Sequence, residues 1–299
     1  QMHLNVLDRI SFWSLFLVIV LLPVFFIPFT NISIETGKGL FLVIGLIASV
    51  IFWIVARFSD GKITLPRSMS VLAGGGVVLL VLLSAIFSGN SQVSLFGIML
   101  DMGTFWFIFG AFLLMTMSSI IFREPKQARI LLFGFISSAT ILLLFQSLHL
   151  FFPTVTSLGV LATKTDNILG SWNALGIFAG LYVLVSLFIV EFFSINKQIK
   201  IALSVLIVFA LLFIAFVNFV LVWEILGVFA LLIFVYKISF NYDRNQDEVK
   251  TNFPALSFIV VLLSLFFFMS SVFIGEILPN RLGISNNEVS PSFLSTMSV

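Results

Sequence analysis

The sequence predicts an all-α membrane protein that crosses the bilayer about nine times. Hydrophobic residues make up 60% of the chain and charged residues only 9%, whereas a soluble domain carries about 25% charged residues. Apolar stretches long enough to span a bilayer recur from end to end. Lys and Arg fall almost entirely in every second gap between these stretches, a pattern typical of multi-pass proteins.

The predicted spans follow one another with short polar gaps between them. They cover 10–29, 39–56, 69–87, 103–122, 130–152, 172–193, 201–217, 219–236 and 255–274. We expect one transmembrane helical domain over 1–275. Residues 276–299 are polar and are followed by no further apolar stretch, so we expect them to begin a truncated extracytoplasmic loop. The alternative is a short terminal tail.

The stretch 201–236 is nearly continuous apolar sequence and needs a turn inside it. As one helix it would be about 54 Å long, which exceeds a hydrocarbon core of about 30 Å. Lys197 and Lys200 precede the stretch and Lys237 follows it, and both flanks have the character of cytoplasmic gaps. The chain must therefore cross twice, and we predict the turn near Asn218.

The basic residues also predict the orientation of the chain. The predicted cytoplasmic gaps contain Arg9, Arg57, Lys62, Arg67, Arg123, Lys126, Arg129, Lys197, Lys200, Lys237, Arg244 and Lys250. The predicted outward gaps contain the remaining three of the 15 basic residues, which are Lys38, Lys164 and Arg281. Because basic loops stay in the cytoplasm, the N-terminus is predicted to be cytoplasmic and the C-terminal end to face outward.

Composition and motifs argue against several classes of function. A net charge of +2 does not favour nucleic acid as a partner, and the absence of Cys excludes disulfides and thiolate metal sites. The two histidines, His3 and His149, are far apart, so no metal site is predicted. The sequence contains no phosphate-binding loop, dinucleotide fingerprint or metalloprotease helix. We therefore expect no cofactor and no use of ATP by this chain.

The longest internal outward gap contains the first candidate binding residues. Lys164 is followed by Gly170, Ser171, Trp172 and Asn173, where a new span begins. Gly permits a tight backbone there, and Ser171 or Asn173 can cap the helix. Such a helix start favours anions such as phosphate. The alternative is an ordinary capped helix with an interfacial Trp.

Three further residues are candidates for chemistry at the outward side. Glu224 follows the predicted turn, and it either lines an outward cavity or lies at the interface beside Trp223. Arg281 can bind phosphate through its guanidinium fork, or it is a loop residue in water. His149, near the outward end of its span, is read as an interface residue rather than a base. The glycines at 74–76 predict either close helix packing or a broken helix beside a cavity.

Three segments resemble the O-antigen ligase and polymerase family. Residues 166–176, Asp-Asn-Ile-Leu-Gly-Ser-Trp-Asn-Ala-Leu-Gly, resemble the start of that family's core region. The gap at 88–97 is similar to its outward loop after the third span, and 287–293 resembles the opening of its large periplasmic loop. Many members carry a Ser-Arg-Gly-like turn where residues 218–224 of this chain contain no Arg, so pyrophosphate binding by that segment is not expected.

The resemblance implies an integral-membrane glycosyltransferase of the bacterial inner membrane. Its donor is a glycan on undecaprenyl pyrophosphate, and its acceptor is lipid A core, a protein or another glycan. The family's large outward loop supplies a His base and anion-binding Arg residues. That His is therefore expected beyond Val299, and the role is not transferred to His149. On this side of the membrane Lys164 and Arg281 can neutralise a pyrophosphate.

We therefore expect a glycan ligase- or polymerase-like protein, present here as a fragment that is inactive alone. Its expected partners are the lipid bilayer, the lipid-linked donor and the acceptor. The substrate-binding candidates are Arg281, Lys164, Asn173 and Glu224. The alternatives are a polytopic transporter or flippase, or a membrane anchor for a downstream extracytoplasmic domain.

Overall fold

The computed structural model describes residues 6–28, 34–60, 69–97, 104–161, 163–217, 219–244 and 253–282. These residues form helices joined by turns. The helices are α1 (Val6–Leu21), α2 (Ile34–Asp60), α3 (Met69–Ile86), α4 (Ser91–Phe96), α5 (Phe105–Ile121), α6 (Pro125–Phe151), α7 (Trp172–Phe192), α8 (Lys197–Val217), α9 (Val220–Arg244) and α10 (Ala255–Leu282).

The fold is that of an all-α polytopic membrane protein, as predicted. Within the described ranges, six helices are long and apolar enough to cross a membrane, namely α2, α3, α6, α7, α8 and the first part of α9. Two shorter apolar segments lie in α5 and α10. Large apolar side chains such as Leu80 and Leu212 are more than half exposed. Lipid is the solvent that such surfaces require, because a helix satisfies its own backbone polar groups there.

Each predicted span corresponds to one helix, with differences at the ends. α1 ends at Leu21 rather than at residue 29, because Pro23 lacks an amide hydrogen and cannot continue a helix. α10 continues to Leu282, so residues 276–282, expected in a loop, belong to a helix. The six-residue helix α4 lies in the gap that follows α3 and was not predicted. Residues 283–299 lie outside the described part of the chain.

The chain divides into two compact units, Gln1–Ser138 and Ala139–Val299. In the first unit, α1 and α2 form an antiparallel pair. Ser11 Oγ donates to the Ser49 carbonyl at 2.9 Å, and Ser49 Oγ donates to the Ser11 carbonyl at 3.2 Å. A methyl group added at Gly45 would lie 2.0 Å from Val18 Cγ2, so glycine is what allows these two helices to approach.

α3 runs unbroken through the three glycines at 74–76 and packs against α5. A methyl group at Gly74 would lie 2.9 Å from Met115 Cε, whereas one at Gly76 would meet nothing within 4 Å. The structure thus agrees with the close-packing interpretation for Gly74 and not with a broken helix.

In the second unit, the long apolar stretch is divided into two helices where the sequence predicts a turn. α8 ends at Val217 and α9 begins at Val220, while Asn218 itself lies outside the described residues. The ring of Phe213, near the end of α8, lies 6.5 Å from that of Trp172 at the start of α7, so α8 runs antiparallel to α7. α9 returns along α7, because Lys237 lies 5.2 Å over the Phe192 ring at the far end of α7.

α10 runs antiparallel to α9 and completes the second unit. Trp223 stacks on Phe267 with ring centroids 4.5 Å apart, and Phe234 lies 5.5 Å from Phe258. The starts of α7 and α9 and the end of α8 therefore lie at one end of the unit. The charge distribution predicts that this end faces outward, and we refer to it as the predicted outward end.

Candidate functional site

The connection between α6 and α7 forms an ordered polar turn at the predicted outward end of the second unit. The Thr163 amide donates to Asp166 Oδ2 at 2.7 Å, and the Asp166 amide donates back to the Thr163 carbonyl at 3.2 Å. Two apolar side chains, Leu161 and Ile168, are 2% and 4% exposed and anchor the connection in the core. We call residues 163–171 the polar turn.

Asn167 stabilises the second half of the polar turn. Its side chain is buried, its Oδ1 accepts from the Leu169 amide at 2.9 Å, and its Nδ2 donates to the Thr165 carbonyl at 3.2 Å. Asn commonly makes such local bonds to the backbone two residues away. Gly170 then has φ 100°, a left-handed conformation that favours glycine. The chain is thereby turned directly into α7.

The start of α7 is a capped helix N-terminus, as the sequence predicts. Ser171 is the cap, since its side chain accepts from the Ala174 amide at 3.2 Å. Asn173 lies inside the first turn and is half-buried, so it is not the capping residue. Helix N-termini carry a partial positive charge. The first turn of α7 can therefore attract an anion at this end.

Two side chains of α6 hold the polar turn in place. Gln146 Nε2 donates to the Asp166 carbonyl at 2.9 Å, and His149 Nε2 lies 2.9 Å from the Thr163 carbonyl. Both side chains are almost fully buried, at 1% and 0% exposure. The role of Gln146 was not predicted from the sequence. Its partner is a backbone carbonyl twenty residues away, and no residue type marks such a partner.

His149 is a bracing residue with both ring nitrogens occupied. A carbonyl only accepts, so Nε2 carries the proton and donates to Thr163. Nδ1 lies 2.7 Å from Thr156 Oγ1, whose hydroxyl also lies 2.8 Å from the Phe152 carbonyl. The Thr156 hydroxyl has a single hydrogen, which points either to the Phe152 carbonyl or to Nδ1. The structure thus gives His149 neither exposure nor a vacant nitrogen with which to act as a base.

The start of α7 packs closely against the end of α8 and the start of α9. A methyl group at Gly176 would lie 2.8 Å from Val217 Cγ1, and one at Gly180 would lie 2.8 Å from Val222 Cγ1. Small residues at such positions let helices approach in a membrane. This contact brings the start of α9, and with it Glu224, to the same end of the unit as the polar turn.

The four predicted binding residues lie on four different elements of the second unit. Lys164 is exposed on the polar turn, and Asn173 lies within the first turn of α7. Glu224 is exposed on α9, which favours the interfacial alternative over a walled cavity. Arg281 lies in the last turn of α10, fourteen residues beyond Phe267 and therefore about 21 Å further along the helix axis. The side chain of Arg281 is outside the described part of the structure.

Two tryptophans have buried indole N–H groups, which the sequence analysis did not consider as candidates. Trp172 and Trp223 are 7% and 1% exposed, and neither indole N–H has a hydrogen-bond partner among the described residues. A buried donor without a partner is uncommon. Within the same residues, no three His, Asp or Glu side chains gather as a metal site would require.

Comparisons with known proteins returned no relative. No family model matched the sequence, and no characterised protein or solved structure matched it either.

Proposed function

We propose that this chain is a glycan ligase- or polymerase-like membrane protein that binds an undecaprenyl-pyrophosphate-linked glycan beside the polar turn. The observation that carries the proposal is the capped start of α7, which follows directly on an exposed lysine and a braced polar turn. An anion at this place meets both the positive end of a helix and the ammonium group of Lys164.

The shape of a lipid-linked donor fits this environment. Its pyrophosphate stays at the membrane surface, where the polar turn lies in the predicted orientation. Its polyprenyl chain needs an apolar surface in lipid, and α7 presents exposed Ile177 and Leu181 one helical turn apart below its first turn. Lys164 and the helix start provide positive charge near a pyrophosphate leaving group, which favours its departure.

Catalysis of glycan transfer needs a base in addition to this binding site. His149 is not that base, because it is fully buried and both of its nitrogens are engaged. The proposal therefore assigns donor binding to the second unit. It assigns the transfer step to none of the described residues.

Donor binding can be measured with the full chain in detergent micelles. We expect undecaprenyl pyrophosphate carrying a glycan to bind more tightly than undecaprenol, which has no charge. Lys164→Gln should weaken donor binding about fivefold, since one cation near a lipid phosphate contributes about 1 kcal/mol. Lys200→Gln is the matched control, because Lys200 is exposed at the start of α8, at the other end of the unit.

Two results would count against the proposal. Equal binding of undecaprenol and the pyrophosphate donor would show that the chain has no anion site for the donor. Equal effects of the two lysine substitutions would show that Lys164 does not bind the donor. In liposomes, movement of the donor across the bilayer without transfer to any acceptor would favour the flippase alternative instead.

A further inference from the structure

The first unit contains a cavity of about 480 Å³ at the end where α1 begins and α2 ends. The turn from α5 into α6 closes its third side. This volume lies within the usual range of small-molecule sites, about 300–1,000 Å³. All of its lining residues belong to the first unit, and the charge distribution predicts that this end faces the cytoplasm.

Three arginines from three different places in the sequence line this cavity. Arg57 of α2 pairs with Asp8 of α1 at 2.5 Å, which fixes the guanidinium at the wall. Arg9 is exposed and makes no ion pair with another residue that the structure describes, and Arg123 is exposed on the turn before α6. With Asp8 and Glu124 as the acidic lining residues, the cavity has a net positive charge.

The remaining wall of the cavity is apolar and aromatic. Trp13 and Trp53 lie on it together with Phe12 and Ile120. The Phe12 ring packs edge-on to the Trp13 ring with centroids 5.4 Å apart, and Trp13 is 53% exposed. Tryptophan is typical of the membrane–water interface. The cavity therefore combines a positively charged polar side with an apolar, aromatic side.

We propose that this cavity binds a phosphate-bearing headgroup, with the phosphate at the arginines and the adjoining hydrocarbon against Trp13 and Trp53. Arginine binds phosphate through two parallel hydrogen bonds, and Arg9 and Arg123 both line the cavity. The cytoplasmic leaflet carries the anionic lipids that supply such a headgroup. The same chemistry is offered by a water-soluble phosphate ester. This site is separate from the donor site proposed for the second unit.

The test is an equilibrium titration of the full chain in neutral detergent with three probes. These are phosphatidic acid, diacylglycerol as its uncharged counterpart, and glycerol phosphate as its soluble headgroup. Binding of phosphatidic acid alone identifies a lipid site, whereas equal binding of glycerol phosphate identifies a site for soluble phosphate esters. Diacylglycerol binding as tight as that of phosphatidic acid would overturn the proposal, because phosphate would then contribute nothing.

Charge substitutions separate a built site from general attraction of anions to a basic surface. Arg9→Gln should weaken phosphatidic acid binding tenfold or more, since hydrogen bonds to charged groups are among the stronger ones. Arg129→Gln is the matched control, because Arg129 is exposed on α6 of the same unit but does not line the cavity. A basic residue that acts only through the surface potential contributes about fivefold.

A second variant should move the affinity in the opposite direction. Glu124→Gln removes a negative charge from the lining, so phosphatidic acid should bind about fivefold more tightly. A variant that merely damaged the fold would not increase affinity. Equal losses for Arg9→Gln and Arg129→Gln, or no gain for Glu124→Gln, would overturn the proposal.

Discussion

Lys38, near the start of α2, and Lys164, in the connection between α6 and α7, are both predicted to lie on the outward side. Lys38 is largely buried, and its Nζ donates to the carbonyls of Leu22 and Pro23 at 3.0 and 2.6 Å. It thereby satisfies the carbonyl groups at the end of α1. Lys164 lies exposed on a turn whose backbone is held by other side chains. The first cation is part of the fold, and the second faces solvent.

The contrast shows that a rare basic residue on the outer side of a membrane protein can either stabilise the fold or be exposed for binding. Both lysines depart from the positive-inside pattern, although only Lys164 was predicted to bind a ligand. What separates them is local geometry, since the Lys38 ammonium group reaches two carbonyls that follow α1, whereas Lys164 is exposed on the polar turn. Lys237 repeats the role of Lys38 at the other end of its unit, since it donates to the Glu191 carbonyl near the end of α7. The predictions below test this difference.

Lys38→Met should produce the largest loss of stability. Removing a charged donor leaves two carbonyl groups at the end of α1 without their partner, and we expect a cost of about 2–3 kcal/mol. Lys164→Met should change stability by less than about 0.5 kcal/mol, as is usual for exposed residues. Unfolding of both variants by increasing SDS in mixed micelles measures this. Equal losses would contradict the assigned difference between the two lysines.

His149→Phe should destabilise the second unit by about 2 kcal/mol, because the buried ring loses two hydrogen bonds to the Thr156 hydroxyl and the Thr163 carbonyl. The polar turn should then loosen around Lys164. Amide hydrogen exchange across 163–171 should speed up in this variant while exchange in α2 is unchanged. Unchanged exchange in the turn would show that His149 does not brace it.

Gly45→Ala should cost about 1–3 kcal/mol, since the added methyl overlaps Val18 and a Val in a helix has little rotamer freedom. Gly110→Ala is the matched control. A methyl at Gly110 in α5 meets nothing within 4 Å, so Ala should there stabilise the helix by up to about 1 kcal/mol. Thermal unfolding in detergent compares the two. Stabilisation by both would mean that α1 and α2 are not held as closely as described.

Ser171→Ala should lower stability by about 1 kcal/mol, because it removes only the cap of α7. If the proposed donor site is correct, this variant should also weaken donor binding, since the first turn of α7 frays. Ser204→Ala is a suitable control, because the Ser204 hydroxyl bonds the carbonyl one turn back inside α8. Equal donor affinity in the two variants would show that the start of α7 does not contribute to donor binding.

Most of the fold could be predicted because hydrophobic length and basic gaps are local properties of the chain. The two crossings around Asn218 followed from the charges on both flanks, although no Gly or Pro marks the turn. The end of α1 was misplaced because the apolar run continues past Pro23 while the helix does not. α4 was missed because six residues are too few to show a period.

The candidate site was less predictable because its supports are contacts between side chains and distant backbone. The cap at Ser171 follows from a Gly-Ser pair before an apolar run, so it could be predicted. The bracing by Gln146 and His149 could not, because their partners are carbonyls that any residue carries. The arginine cavity was also hidden, since Arg9, Arg57 and Arg123 come from three separate gaps and only folding brings them together.

The reciprocal hydroxyl bonds between Ser11 and Ser49 also have a consequence for how the chain assembles. Sliding α1 along α2 by one helical turn, about 5.4 Å, would leave both hydroxyls in hydrocarbon without these partners. Hydroxyl pairs between membrane helices contribute about 0.6–2 kcal/mol, which is enough to favour one alignment several-fold. These two helices precede α3–α10 in the chain and are therefore synthesised before them. The two serines can thus set the alignment of this hairpin before α3–α10 exist to correct it.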